Sequence, residues 1–443
     1  MTKRFIRLRD KRTPEMPSLS RGTGKFVRSL DKEMRFLSDA RAMASGRGGS
    51  LESLRRLNRL RVIHALRDQG SISRAEIARR TGLSRSTVSS LVADLQADGL
   101  VIERAELGAA HGTQGGRPPI LLSFDSSAGA AVGIDFGHSH LRVAVSDLSS
   151  RILAERAVPL DTDDAAEEGL DAAADLVVEL LADAGIDPGQ VIGAGMGLPG
   201  PIRQEDGVVG SGAILPGWVG VPAVAAMRSR LELPILVDND ANLGALAEAA
   251  FGAARDASDM IYLKVASGIG AGLILNGRLY RGATGLAGEL GHLLVDPEGH
   301  VCRCGNRGCL ETLAATGALV DLLRRSHGDV TVARMLELAH GGDLGCRRVI
   351  ADAGRAIGQA VSMLLNVLNP ELLVVGGDLA DAGDLLLDGV RESIGRAALP
   401  SAADAAGVVA GVLGERAQVL GAIALVVSEA DRAFPTRLAA EAH

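Results

Sequence analysis

The stretch Ala131–Val145, AVGIDFGHSHLRVAV, has two apolar runs separated by a short turn that contains a glycine and a hydroxyl. The pattern predicts a strand, a tight turn and a second strand, with Asp135 at the end of the first strand. The stretch Ile261–Gly277, IYLKVASGIGAGLILNG, repeats this design and closes on Asn276-Gly277, a dipeptide typical of a two-residue hairpin turn. Backbone N–H groups in such turns can hold a phosphate, although either turn alone can also be a plain β-turn.

The segments between and after these turns predict further strands that end on glycine or polar residues. They are Val191–Pro201 (VIGAGMGLPGP), Ile235–Asn242 (ILVDNDAN) and Asn369–Asp378 (NPELLVVGGD). Two glycine turns one lobe apart, with an acidic strand end between them, resemble the nucleotide cleft of actin-like, ribonuclease-H-like ATPases. The expected fold class is therefore α/β with two lobes of that kind. The expected small lobe is 126–238, completed by 420–443, and the large lobe is 239–419.

Three of the four cysteines lie within eight positions, at Cys302, Cys304 and Cys309, and follow His292. Three thiolates and one imidazole are the ligand set of a closed, tetrahedral structural zinc site. Free thiols in a reducing compartment are the alternative. Catalytic zinc is disfavoured, because four protein ligands leave no open position for water. The fourth cysteine, Cys346, is interpreted as a buried thiol.

The net charge of −7 hides an asymmetry along the 443 residues. Residues 1–120 hold 24 Lys+Arg and 12 Asp+Glu, whereas the remainder holds 23 and 42. A basic front on an acidic body suggests a nucleic-acid-binding module attached to a body with a different task. No apolar run is long enough to span a membrane and no signal peptide is evident, so we expect a cytoplasmic protein without a membrane partner.

Residues 1–50 are rich in Arg, Ser and Gly with little periodicity, which predicts a disordered basic tail. A start codon placed too early explains this segment equally well, with Met34 or Met43 as the true start.

Residues 51–125 predict a winged helix-turn-helix domain. A first helix ends at Gly70, and Ser73 and Ser84 cap two shorter helices joined by a glycine-containing turn. Two strands, Leu100–Arg104 and Ile120–Phe124, form the wing. The predicted DNA contacts lie at the start of the second short helix and in the wing loop, where bases, phosphates and the minor groove are reached. These residues are Arg85, Ser86, Thr87, Ser90 and Arg117.

The stretch Glu289-x-Gly-His292, followed by Cys302-x-Cys304-Gly-x-x-Gly-Cys309-Leu-Glu311, resembles the zinc-and-sugar signature of the ROK family of repressors, open reading frames and kinases. Gly197–Pro201 and Asp238–Asn242 resemble the family's sugar-side motifs. The resemblance extends over residues 55–430. With a winged helix at its front, the chain is similar to the repressor-type members.

The resemblance implies that carboxylates, an amide and an imidazole contact sugar hydroxyls. The implied sugar-binding residues are Asn239, Asp240, Glu289, His292 and Glu311. In kinase members the residue that matches Asp240 is the general base, so Asp240 is the catalytic candidate if this chain is a kinase. A nucleotide phosphate, in that case, would meet Asp135, Gly137, Ser139, Ser267, Gly268 and Gly270.

The first turn departs from the kinase pattern, because family kinases carry Asp-x-Gly-Gly-Thr where this chain has Asp135-Phe-Gly137-His138-Ser139. Phosphoryl transfer depends on close positioning of the phosphates, so a histidine in place of that glycine argues against catalysis. We therefore expect a sugar-responsive transcriptional regulator, a repressor and not an enzyme. An ATP- and Mg²⁺-dependent sugar kinase with an appended DNA-binding domain is the alternative.

The expected partners of the regulator are operator DNA, a sugar or sugar derivative, and further copies of the chain in a homodimer or homotetramer. A third hypothesis is a regulator controlled by a protein partner that docks on the acidic body. The sequence identifies no such partner.

Overall fold

The structure is a computed structural model that describes residues 51–104, 120–203, 206–210 and 214–441. The predicted basic tail of residues 1–50 lies outside this range. Within these residues, no helix combines the length and the apolar character that crossing a bilayer requires.

The front of the described chain has three helices and a three-stranded sheet, whose strands lie in the order Ser71–Ser73, Leu121–Phe124, Val101–Arg104. Ser73 and Ser84 cap the two shorter helices, since their hydroxyls accept from the N–H groups of Glu76 and Thr87. The predicted wing strands pair in antiparallel register, with Val101 opposite Phe124. The elements are α1 Leu51–Gln69, β1 Ser71–Ser73, α2 Arg74–Thr81, α3 Arg85–Ala97, β2 Val101–Arg104 and β3 Leu121–Phe124.

Strand β1 did not follow from the sequence, because three residues that end on the helix cap Ser73 give no alternating pattern. It pairs with β3 from Ser71↔Ser123 to Ser73↔Leu121 and places Ile72 in the core of the winged helix. That core also includes Leu148 from the body of the protein. The winged helix therefore packs directly on the domain that follows it.

Two five-stranded sheets form the body, and both have the same topology. The first sheet consists of β4 Ala130–Phe136, β5 His140–Asp147, β6 Ile152–Pro159, β7 Val191–Leu198 and β10 Ile235–Asn239. The second consists of β11 Met260–Val265, β12 Ile269–Leu275, β13 Arg278–Tyr280, β14 Leu372–Gly376 and β15 Gly407–Ala410. In each, three antiparallel strands continue into two parallel strands: the first sheet has the order β6-β5-β4-β7-β10 and the second β13-β12-β11-β14-β15. A small hairpin, β8 Ile202–Arg203 and β9 Val208–Val209, lies between β7 and β10 in the chain.

Helices cover the sheets, which explains why the central strands are apolar on both faces. Every residue of β4 is buried. The helices of the body are α4 Ala166–Ala184, α5 Ala223–Leu231, α6 Asp240–Phe251, α7 Glu311–Ala314, α8 Thr316–His327, α9 Val332–His340, α10 Leu344–Leu368, α11 Asp384–Ala397, α12 Pro400–Ala405 and α13 Ala417–Glu441. Short 3-10 turns lie at Ser126–Ala128, Pro188–Gln190, Pro216–Trp218, Leu290–His292, Asp378–Ala382 and Gly414–Arg416.

The C-terminal helix α13 packs against the first sheet and against α6. The approach to the sheet is close because the strands present glycines there. A side chain at Gly133 or Gly195 would overlap the carbonyl oxygens of Val419 and Ala422 in α13. The lobe boundaries expected from the sequence, 126–238 with 420–443 and 239–419, stay a prediction.

Candidate functional site

One cleft collects all the residues that the family resemblance implied for sugar binding. Its lining includes Asn239, Asp240, Glu289, His292 and Glu311. Of the residues predicted for nucleotide phosphate, Ser267, Gly268 and Gly270 line the cleft. The other three, Asp135, Gly137 and Ser139, are not among the lining residues, but their neighbour His138 is.

The start of α6 forms one wall of this cleft. Asn239 caps the helix, since its Oδ1 accepts from the N–H groups of Ala241 at 2.8 Å and Asn242 at 3.4 Å. Its Nδ2 donates to the carbonyl of Gly200 at 2.9 Å. The cap and the glycine-proline loop thus position Asp240, the first residue of the helix.

Asn242 is a cleft residue that the sequence motif contained but that we did not assign to the site. Its Nδ2 donates to Asp238 Oδ1 at 2.8 Å, which fixes the orientation of the amide. Its Oδ1 is buried and has no hydrogen-bond partner within the described residues. A buried acceptor without a partner is costly, so this oxygen is suited to accept from a ligand hydroxyl.

Glu289 lies on a segment, 288–291, whose backbone packs closely against the second sheet. Side chains at Gly288 or Gly291 would overlap the carbonyls of Ala271 and Ile269 in β12, so only glycine fits at these two positions. The close contact brings the Glu289 carboxylate to the cleft. Burial raises the pKa of Glu289 above its ordinary value, and the nearby Asp240 and Glu311 add to the rise while His292 opposes it.

The four predicted metal ligands, His292, Cys302, Cys304 and Cys309, converge. Their ligand atoms all lie within 4.8 Å of one another, so they form a cluster that can hold a metal ion. Nδ1 of His292 faces the thiols, 3.6 Å from Cys302 Sγ, and its Nε2 lies 3.9 Å from Glu289 Oε2. Cys346 is buried elsewhere in the core of the second sheet.

The thiols differ in how readily they lose a proton. Burial raises the pKa of Cys309 to about 12, and burial also raises that of Cys302. The N–H of Asn306 lowers the pKa of the exposed Cys304. Without an ion, the cluster therefore retains thiol protons at neutral pH.

Arg303, inside the Cys-x-Cys motif, joins this loop to the second glycine turn. Its Nε donates to Glu311 Oε1 at 2.6 Å and its Nη2 to the carbonyl of Ser267 at 3.0 Å. Glu311 Oε2 accepts from the N–H of Ile269 at 3.3 Å. Arg303 was missed from the sequence, where only its place between two ligand cysteines could have drawn attention to it.

The first glycine turn and the start of β5 carry two histidines, and each imidazole contacts a carboxylate. A side chain at Gly137 would overlap the ring of His140, whose Nε2 lies 3.1 Å from Asp135 Oδ2. Nδ1 of His138 lies 2.7 Å from Asp163 Oδ1. Both histidines are thus paired with carboxylates, and the pairing of His140 was not expected from the sequence.

Lys264, in β11, was also missed from the sequence. Its Nζ donates to Asp240 Oδ2 at 2.6 Å, and both side chains are mostly buried. The carboxylate that resembles a kinase general base is therefore held in an ion pair.

The predicted DNA-contacting residues of α3 lie at its N-terminal end. Arg85, Ser86 and Ser90 are exposed and Thr87 is half-buried, while the buried face of the helix is formed by Val88, Leu91, Val92 and Leu95. Arg117 lies outside the described residues.

Comparison with known proteins agrees with this architecture. The ROK family profile matches residues 131–429, and the MarR family profile matches residues 56–109. A xylose repressor from Caldicellulosiruptor bescii is 32% identical over 398 residues, which are 86% of this chain and 98% of the repressor.

Two solved structures are similar as well. The crystal structure of a ROK family transcriptional regulator, a homolog of the E. coli MLC protein, has a TM-score of 0.72 at 24% identity, with 86% of this chain and 98% of that one covered. At that identity the likeness shows the fold alone. A ROK hexokinase from Thermus thermophilus has a TM-score of 0.58 at 31% identity over 68% of this chain and 99% of its own. The comparisons confirm the fold class predicted from the sequence.

Proposed function

Because the chain belongs to the ROK family, we propose that it is a sugar-responsive, DNA-binding transcriptional repressor. The proposal rests mainly on one combination. A winged helix with an exposed recognition helix is joined, in the same chain, to a cleft lined by acceptors suited to hydroxyl groups. The repressor named above matches both parts over 86% of this chain.

The cleft supports sugar binding through groups that still have hydrogen-bonding capacity. The Glu289 carboxylate and Oδ1 of Asn242, which has no partner in the described part of the chain, accept from sugar hydroxyls, and Nε2 of His292 lies beside Glu289. Such buried acceptors discriminate strongly, since a ligand that lacks the matching hydroxyl leaves them unpaired. Asp240 and Glu311, which are paired with Lys264 and Arg303, also line the cleft.

The Cys3His cluster (His292, Cys302, Cys304 and Cys309) fits a structural zinc ion. A tetrahedron with zinc–sulfur bonds of ~2.3 Å and zinc–nitrogen bonds of ~2.0 Å separates two sulfurs by about 3.8 Å and a sulfur from a nitrogen by about 3.5 Å. Cys304 Sγ and Cys309 Sγ are 3.7 Å apart, and Cys302 Sγ is 3.6 Å from His292 Nδ1. The ion would supply a rigid link between His292 and the loop that places Arg303 and Glu311.

The winged helix is coupled to the first sheet because Leu148, in the β5–β6 turn, belongs to the winged-helix core. A sugar that favours one arrangement of the two sheets therefore repositions the DNA-binding helix, provided that it binds the two arrangements with different affinity. In a homodimer, two recognition helices would reach successive major grooves of a pseudo-palindromic operator. The repressor is accordingly a dimer or a dimer of dimers.

A thermal-shift screen of sugars and sugar derivatives tests the ligand part of this proposal, because a ligand that binds only the folded state raises Tm. We expect one sugar class to raise the Tm of the wild type and to leave that of Glu289→Gln unchanged. A broad panel that shifts neither protein would contradict the proposal.

An ATP-dependent sugar kinase is the second candidate, favoured by the position of Asp240 beside the glycine turn at Ser267–Gly270. A coupled assay of ATP consumption with common hexoses decides between the two functions. Turnover in the wild type that is abolished in Asp240→Asn would establish the kinase; the repressor proposal predicts no turnover.

A further inference from the structure

Lys264 is unusual because lysine is rare in this sequence. Five of the 47 basic residues are lysines, and the other four are Lys3, Lys11, Lys25 and Lys32. Lys264 is therefore the single lysine in residues 33–443, where every other basic side chain except histidine is an arginine. A lysine ammonium is a compact point charge, whereas a guanidinium is planar and larger, so the two are not interchangeable in a confined site.

The structure places this ammonium among carboxylates of both sheets. Its Nζ lies 2.6 Å from Asp240 Oδ2, with 21% and 13% of the two side chains exposed. Burial lowers the pKa of Lys264, but the charges of Asp240 and Asp135 outweigh that effect and raise the pKa above its ordinary value. Asp378, which follows β14, also interacts with this charge. The Lys264 ammonium therefore interacts with three carboxylates, which lie at or just after the ends of β4, β10 and β14.

The fold is shared with sugar kinases, and phosphoryl transfer in such clefts relies on a divalent cation bound by carboxylates and on backbone that approaches the phosphates. The residues present here do not fit that requirement. Asp240 is held by Lys264, and Asp135 lies within hydrogen-bonding distance of His140. The ring of His140 covers Gly137, whose N–H donates to the carbonyl of His140 at 2.9 Å.

We propose that Lys264 is a positioning residue that replaces a divalent cation in this cleft. Its ammonium holds the Asp240 side chain in place as an acceptor of hydroxyl groups, so that the cleft needs neither metal nor nucleotide beside the carboxylates. The role of Asp240 as a sugar contact rests on the proposed function, whereas the replacement of the cation by Lys264 does not.

Substitution of the lysine tests the inference, with Mn²⁺ as the probe and electron paramagnetic resonance as the readout. All proteins are first saturated with zinc, so that the thiols do not compete. Lys264→Met, which keeps the length and removes the charge, leaves the carboxylates without a cation. Carboxylate oxygens are the ligands that Mg²⁺ and Mn²⁺ prefer, so we expect this variant to bind one Mn²⁺ at least about tenfold more tightly than the wild type.

Three further variants locate the gained site. Lys264→Arg keeps the charge and should bind Mn²⁺ no better than the wild type. Lys264→Met combined with Asp240→Asn should lose the gain. Arg281→Met is the matched control, because Arg281 pairs with the buried Asp238 two positions before Asp240, outside the cleft lining. It should gain no Mn²⁺ site.

Several outcomes would overturn the inference: equal Mn²⁺ binding by wild type and Lys264→Met, a gain that persists in the double variant, or the same gain in Arg281→Met. If Lys264→Met does not fold without a divalent metal, Mn²⁺ should restore its thermal transition, and failure to do so counts against the inference. Tight binding of Mn²⁺ with a non-hydrolysable ATP analogue to the wild type would also overturn it. None of these readouts uses sugar or DNA, so failure of the proposed function would be seen separately.

Discussion

The two ends of the cleft differ in how their polar groups are satisfied. At the proposed sugar end (Asn239, Asn242, Glu289, His292 and Glu311), Asn242 Oδ1 has no hydrogen-bond partner within the described residues, and the Glu289 carboxylate lies 3.9 Å from Nε2 of His292. At the phosphate end, which consists of His138 and Lys264 in the cleft lining and of Asp135, Gly137 and His140 in and around the first glycine turn, each charged or ionisable side chain is already paired with another group.

This difference indicates how one fold can separate binding from catalysis. A cleft that keeps hydrogen-bonding capacity at one end and satisfies it internally at the other can hold a sugar without activating a phosphate.

The largest effect is expected from Cys304→Ser at the sugar end. Loss of one of four ligands should release the metal and lower Tm, and sugar binding should weaken because Arg303 and Glu311 lose their rigid support. Elemental analysis and thermal shift measure both consequences. Cys346→Ala is the matched control, since Cys346 lies outside the cluster, and it should keep the metal. A wild type without metal would contradict this account.

Metal affinity should also depend steeply on pH. The pKa of Cys309 is raised to about 12 by burial and that of Cys302 is raised as well, so binding must displace thiol protons at neutral pH. Affinity should therefore fall as pH is lowered, by up to about 100-fold per pH unit if two protons are released. Calorimetry in buffers of different ionisation enthalpy counts the protons. A metal affinity that stays constant from about pH 6 to about pH 8 would argue against thiolate ligation.

The substitution Asp240→Asn concerns a residue that both ends share, because Asp240 is a proposed sugar contact and also pairs with Lys264. It leaves Lys264 mostly buried beside a neutral amide, and removal of one partner of such a pair costs about 3 kcal/mol of unfolding free energy. The double variant Asp240→Asn/Lys264→Met should recover much of this loss, because no unpaired charge remains. Urea denaturation of the four proteins gives the coupling energy; additive losses would show that the ion pair is not the cause.

Glu289→Gln should affect ligand binding more than stability. Sugar affinity should drop about 10- to 100-fold, since a hydrogen bond to a charged group contributes roughly 1.5–3 kcal/mol. Burial raises the pKa of Glu289, so the ionised side chain costs stability once pH rises above its ordinary pKa near 4.5. The variant should therefore match or exceed the wild-type Tm at pH 7 and lose this advantage as pH falls toward 4.5. A lower Tm at pH 7 would contradict this interpretation.

The sequence allowed prediction of those features that depend on local spacing. The two glycine turns, the strand before Asn239, the wing and the convergence of His292 with the three cysteines all follow from residue types at short, fixed separations. The family resemblance supplied the roles expected of Glu289 and Glu311.

Features that depend on tertiary contacts could not be predicted in the same way. Lys264 looks like one polar position in an apolar strand, and only the folded sheets bring it to Asp240, 24 residues earlier. The pairing of His138 with Asp163 and the contact between Leu148 and the winged helix arise from packing between separate elements. The strand Ser71–Ser73 is too short to give a periodic signal.

The central claim is that a sugar in the cleft changes DNA binding by the winged helix. The most direct test is to select operator fragments from genomic DNA with the purified protein and to measure their affinity by fluorescence anisotropy across a panel of sugars. We predict that one sugar class weakens operator binding by the wild type and not by Glu289→Gln. An operator affinity that no sugar changes, in a protein that binds the fragments tightly, would contradict the account.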